Sequence, residues 1–269
     1  MTLFAILIGT VAAGVGSVWL AAALGFAMLA RFQQHMLSLA AGALLATAFM
    51  HLLPEAFNSE ASAQELFALL LAGLVFFFLL DKAELWHHGH EHHHGTDGHA
   101  GHAHDHVHGH AHQHASPRMA GGWSVLAGDS VHAFGDGILI ASAFVADIRL
   151  GLVASVAVLA HEVPHHMGDL VVLRQVSGTS RAALLKVSLA GTVTALGGVV
   201  GYLLVNGLGE WLPYFLVAAS SSFVYVALAD LIPQLQRRLN LRDTIAQVCW
   251  LAGGIGLVTL VSGLAHGGH

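Results

Sequence analysis

Eight stretches of this chain are each long and apolar enough to cross a bilayer, at about residues 3–30, 36–57, 63–86, 122–146, 149–173, 183–206, 211–235 and 244–264. A helical crossing takes roughly 20 apolar residues. Hydrocarbon offers no water to the backbone, so such segments must satisfy their own N–H and C=O groups by folding as helices. Composition points the same way: 55% of the residues are hydrophobic and 10% charged, where soluble domains carry about 25% charge. The expected fold is an all-α integral membrane protein with eight transmembrane helices.

The distribution of basic residues tests that count, because Lys and Arg favour cytoplasmic loops. With eight crossings, Arg31, Lys82, Arg118, Arg174, Arg181, Lys186, Arg237, Arg238 and Arg242 fall on one side and Arg149 alone on the other. Both termini are then expected outside the cytoplasm, in the plasma (inner) membrane. Ten basic residues spread over the whole length make no nucleic-acid footprint. The apolar N-terminus has no basic flank and outruns the roughly 7–15-residue core of a signal peptide, so it is expected to be a retained first helix. Cys249 is the sole cysteine, which rules out a disulfide within the chain.

One long connection divides the sequence into residues 1–86 with helices one to three, a loop over 87–121, and residues 122–269 with helices four to eight, all within one membrane domain. The loop holds His87, His88, His90, His92, His93, His94, His99, His102, His104, His106, His108, His110, His112 and His114. Such a tract cannot build a core. Dense neutral imidazoles bind zinc, copper or nickel with low specificity, and with ordinary values near 6.5 they should release metal below about pH 6. A solvated linker without a metal role is the alternative.

An internal echo links helices two and seven. FMHLLPEA (Phe49 to Ala56) and LADLIPQL (Leu228 to Leu235) share a polar-apolar-apolar-Pro pattern in helices of opposite direction, as an inverted repeat would leave. Glycines in helices one, six and eight, including Gly197 and Gly201 in GxxxG spacing, suit close helix packing or else a sliding or dimer surface.

The polar residues of helices four and five carry the chemistry. Asp129, His132 and Asp136 lie at i, i+3 and i+7 on one helical face; His161, His165 and Asp169 lie at i, i+4 and i+8, with Glu162 and His166 on the adjoining face. Polar side chains are costly in a bilayer and mark ion pathways. Mixed His and carboxylate donors suit a borderline cation such as zinc. Pro164 lacks an N–H and should bend helix five, freeing the Ala160 carbonyl beside these ligands; Gly135 and Gly137 should loosen helix four around Asp136. Any one of these groups could instead be structural glue between helices. Asp129 and Asp169 at the flanks are expected to orient the imidazoles. His51 and Glu55 in helix two suggest an entrance, and Asp230 with Pro233 in helix seven an exit, with helix-end structural roles equally open for all four.

Two other functions fit parts of the sequence. His161-Glu162-Val163-Pro164-His165 satisfies HExxH, the zincin pattern of an intramembrane metalloprotease, although Pro164 disturbs a rigid catalytic helix. The His-rich loop alone would suit a metal sensor or store.

Helix four resembles the HNxxDG signature of the ZIP (Zrt/Irt-like) metal transporters, and helix five resembles the HExPHExGD signature of their LIV-1 subfamily. HLLPEA, ALADLIP, the eight spans and the His-rich loop extend the resemblance over nearly the whole chain. It implies a 3+2+3 helix arrangement, a homodimer, and a divalent-metal transporter moving zinc into the cytoplasm. By motif position it assigns His132, Asp136 and His165 to the principal metal site, with His161 and Glu162 alongside and His166 adjoining. Ala133 stands where the family has Asn, and His166 where it has a second Glu, so one dominant site is expected. The substrate implied is Zn2+; coordination chemistry also allows Cd2+, Fe2+, Co2+, Ni2+ or Mn2+. A Glu at the position of His161 goes with broader manganese and iron use in the family, so His161 favours zinc.

Overall fold

A computed structural model of the chain describes residues 2–24, 26–89, 118–235 and 240–266, and all regular structure among them is helical. The rods are α1 (Thr2–Leu24), α2 (Phe26–Thr47, continuing through Ala48–Leu52 into Leu53–Phe57), α3 (Ala63–Gly89), α4 (Arg118–Ala146), α5 (Ile148–Ser177) and α6 (Ser180–Gly207). After a short turn come α7 (Leu212–Tyr225, continuing through Val226–Leu231 into Ile232–Leu235) and α8 (Leu241–His266).

Among the described residues, segments of α1, α2, α3, α6, α7 and α8, six in all, are long and apolar enough to cross a bilayer. The chain is therefore an integral, multi-pass helical membrane protein. The other two rods, α4 and α5, have 29 and 30 residues. At 1.5 Å rise each is about 44 Å long, but polar side chains interrupt its hydropathy.

Local signals explain the ends. Asp147 caps α5 by accepting from the Arg149 N–H at 2.7 Å, a carboxylate on an orphan donor. Gly178 then closes α5 at φ 72°, a left-handed conformation that favours glycine, and the Thr179 hydroxyl caps α6. The connection expected at 31–35, between the first two spans, is helical instead, with Arg31 inside α2. FAMLARFQQHM contains no Pro or Gly and consists largely of good helix formers, so nothing in it stops a helix.

Helix α4 packs on α5 and α6, α1 on α5 and α6, α2 on α5 and α8, and α3 on α7. Ile6, Leu44, Leu52, Ile140, Val153, Leu216 and Phe223 lie in the main core. By contrast α3 presents Phe67, Leu71, Phe76 and Leu79 outward, an apolar surface suited to lipid rather than water.

The closest approaches use glycine. A Cβ on Gly137 would strike the Thr194 carbonyl of α6, one on Gly197 the Phe134 carbonyl of α4, and one on Gly14 the Gly191 carbonyl. The GxxxG pair is thus consumed inside the protein: Gly197 and Gly201 both seat α4. Gly253 and Gly256 face open space.

Candidate metal centre

Helices α4 and α5 bring four groups together: His132 and Asp136 from the first, His161 and Glu162 from the second, with one ligand atom of each within 4.8 Å of the others. His132 Nε2 lies 3.3 Å from His161 Nε2, 3.7 Å from Asp136 Oδ2 and 3.6 Å from Glu162 Oε1. His161 Nε2 lies 3.3 Å from each carboxylate oxygen. Four donors about 2.1 Å from a zinc ion in tetrahedral array are separated by about 3.4 Å. Five of the six edges of this group are 3.3 to 3.7 Å, so a cation of that size fits among the side chains as they stand.

Burial gives these atoms something to gain from a cation. The side chains of Asp136, His161 and Glu162 are each 3% exposed, whereas that of His132 is 31% exposed. Among the described residues, Asp136 Oδ2 and Glu162 Oε1 have no hydrogen-bond partner. Buried carboxylate oxygens need compensating positive charge, and both of these face the shared space. His161 Nδ1 lies 3.3 Å from the Ala157 carbonyl, which steadies the ring with Nε2 inward.

The remaining candidates take other positions. His165 is exposed; its ring centroid is 5.8 Å from that of His132, outside the group of four. The HExxH reading requires His161 and His165 on one ion, and only His161 belongs to the cluster. His166 is fully buried behind Glu162, with Nε2 3.1 Å from Glu162 Oε2. Asp169 is half-buried, and its Oδ2 has no hydrogen-bond partner among the described residues. Helix α5 runs unbroken through Pro164.

His51 is half-buried and Glu55 exposed near the end of α2, and neither joins the cluster. Asp230 lies in the wide turn Val226–Leu231 and Asp129 in α4, with side chains outside the described residues. Of the loop histidines, His87 and His88 end α3; those from His90 to His114 lie outside the described residues. Sequence reasoning missed Ser17, whose Oγ lies 2.9 Å from His166 Nδ1. A lone serine in an apolar helix gives no signal of such a contact.

A family model described as ZIP Zinc transporter matches residues 1–262. Zinc transporter ZIP4 of Homo sapiens is 35% identical over 136 residues, covering 51% of this chain and 20% of that protein. Zinc transporter SLC39A7 of Rattus norvegicus is 34% identical over 154 residues, covering 53% and 32%. Zinc transporter ZIP13 of Pongo abelii is 27% identical over 247 residues, covering 85% and 66%. The chain thus spans between a fifth and a third of the length of the first two relatives.

Proposed function

Because this chain belongs to the ZIP zinc transporter family, a family of transporters rather than enzymes, we propose that it carries Zn2+ into the cytoplasm through the centre between α4 and α5. The spacing of His132, Asp136, His161 and Glu162 carries this reading: their edges already approximate a tetrahedral zinc shell. His132 is the partly exposed member, so it meets the hydrated ion first. Asp136, His161 and Glu162 then replace its water. His165, beside His132, serves the approach or joins the ligands when the helices shift, and His166 supports Glu162. Asp129 and Asp169 flank the path, with His51 and Glu55 towards its entrance and Asp230 towards its exit. Cd2+, Fe2+, Co2+, Ni2+ and Mn2+ are possible competing substrates by ligand type.

The proposed architecture has eight crossings in a 3+2+3 arrangement, with the domain limits 1–86, 87–121 and 122–269, both termini outside the cytoplasm, and a homodimer in the plasma (inner) membrane. An inverted repeat is supported by matching details in α2 and α7. A wide helical turn ends two residues before Pro54 in α2, and another ends two residues before Pro233 in α7. Gly42 and Ser221 each lie twelve residues before those prolines. Gly42 packs on α8 and Ser221 meets Gly73 of α3, so equivalent small positions make equivalent close approaches.

Two results test this reading. Each imidazole nitrogen must shed its proton to bind a cation, so zinc-65 uptake into proteoliposomes should have a higher KM at acid pH than at neutral pH. Unlabelled Zn2+ should compete most strongly among the divalent metals in the same assay. A KM independent of pH, or stronger competition by Mn2+, would overturn the ligand assignment. Deleting residues 88–114 should leave uptake running with an altered response to external zinc. Complete loss of metal handling would instead favour a sensor or store based on the loop.

A further inference from the structure

Glu162 has its two oxygens committed to different neighbours. Oε1 turns to His132 and His161, at 3.6 and 3.3 Å, while Oε2 turns away to His166 Nε2 at 3.1 Å. On the other edge of the His166 ring, Nδ1 lies 2.9 Å from Ser17 Oγ of α1. His166 and Ser17 are both fully buried. Ser17 follows directly on the wide turn Ala12–Gly16 and lies 2.7 Å from the Gly14 carbonyl within it. Such turns are concentrated at functional positions in helices.

Ser17 can hold the His166 ring through Nδ1 in either of two ways. Ser17 has one hydroxyl hydrogen and two acceptors in reach. If it donates to Nδ1, the neutral ring carries its hydrogen on Nε2. If it donates to Gly14, Nδ1–H donates to Ser17 Oγ instead. With Nδ1 held by Ser17, the opposite edge of the ring places Nε2 3.1 Å from Glu162 Oε2, leaving Oε1 turned to the shared space.

We propose that Ser17 and His166 are a positioning pair that fixes the Glu162 carboxylate, so that α1, which supplies none of the four clustered groups, helps set the affinity of the centre. The proposal rests on the four-group cluster being the transport site. Groups that orient a metal ligand commonly change affinity by about 10- to 100-fold when removed.

Zinc-65 uptake by the reconstituted full chain tests it. His166→Leu should raise KM by about 10- to 100-fold with a smaller change in maximal rate. His166→Gln, whose amide can still donate to Glu162, should recover most of the loss. Ser17→Ala, which removes one oxygen, should raise KM in the same direction and provides the measurement should the Leu variant fail to fold. On a Glu162→Gln background, His166→Leu should add little, since the carboxylate it positions is gone. Equal defects in the Leu and Gln variants, or additive effects with Glu162→Gln, would reduce His166 to a packing residue. A wild-type KM for Glu162→Gln alone would reject the transport site itself, and the positioning pair with it.

Discussion

Replacing His132 by Ala, or Asp136 by Asn, should lower the apparent zinc affinity of uptake by at least about 100-fold, since groups that merely orient ligands already account for about 10- to 100-fold. The two variants fail for different reasons. His132→Ala opens the partly exposed corner of the cluster and removes its contacts with both carboxylate oxygens. Asp136→Asn keeps the shape but replaces a buried carboxyl oxygen, 3.3 Å from His161 Nε2, with an amide. Zinc-65 uptake at several concentrations, normalised to reconstituted protein, separates these cases from poor expression. Wild-type kinetics in either variant would remove these two residues from the site.

Gly137→Leu should prevent the protein from folding, and the reason is local to α4. Any Cβ at Gly137 meets the Thr194 carbonyl and the backbone of Gly197 and Gly198 in α6. A flexible side chain could move aside, but backbone cannot without separating the helices. Overpacking commonly costs about 1–3 kcal/mol, and here the obstacle is two rigid helices, so the loss should exceed that range. Gly256→Leu is the matched control, since Gly256 faces open space. Thermal unfolding and monodispersity in detergent should distinguish the pair, the Gly137 variant aggregating while the Gly256 variant remains intact. Equal stability would show that α4 and α6 need not approach so closely. Asp136 is the neighbour of Gly137, so the contact that seats α4 also places a clustered carboxylate.

The helical class of the fold was legible because hydropathy is a local property: a run of apolar residues in lipid has few alternatives to a helix. Connections were less legible. Arg31 resembled a loop residue by charge, but charge does not stop a helix, and α2 runs through it. The meaning of the glycines was also open in sequence, where Gly197 and Gly201 suited a dimer surface as well as internal packing. The backbone of α4 occupies that groove.

Sequence alone identified His132, Asp136, His161 and Glu162 as candidates, because helical spacing places polar residues on faces. It also named His165, His166, Asp129 and Asp169, setting the two aspartates at the flanks, while the family resemblance put His165 with His132 and Asp136 and left His161 and Glu162 alongside. His161 and His165 share a face at i, i+4, yet one is buried in the cluster and the other exposed. Ser17 and His166 are 149 residues apart, and no periodicity connects them. Spacing fixes which side chains share a face of one helix; which faces meet is set by rotation and crossing between helices. Here that choice follows from backbone contacts at Gly14, Gly137 and Gly197, which exist only once the tertiary structure has formed.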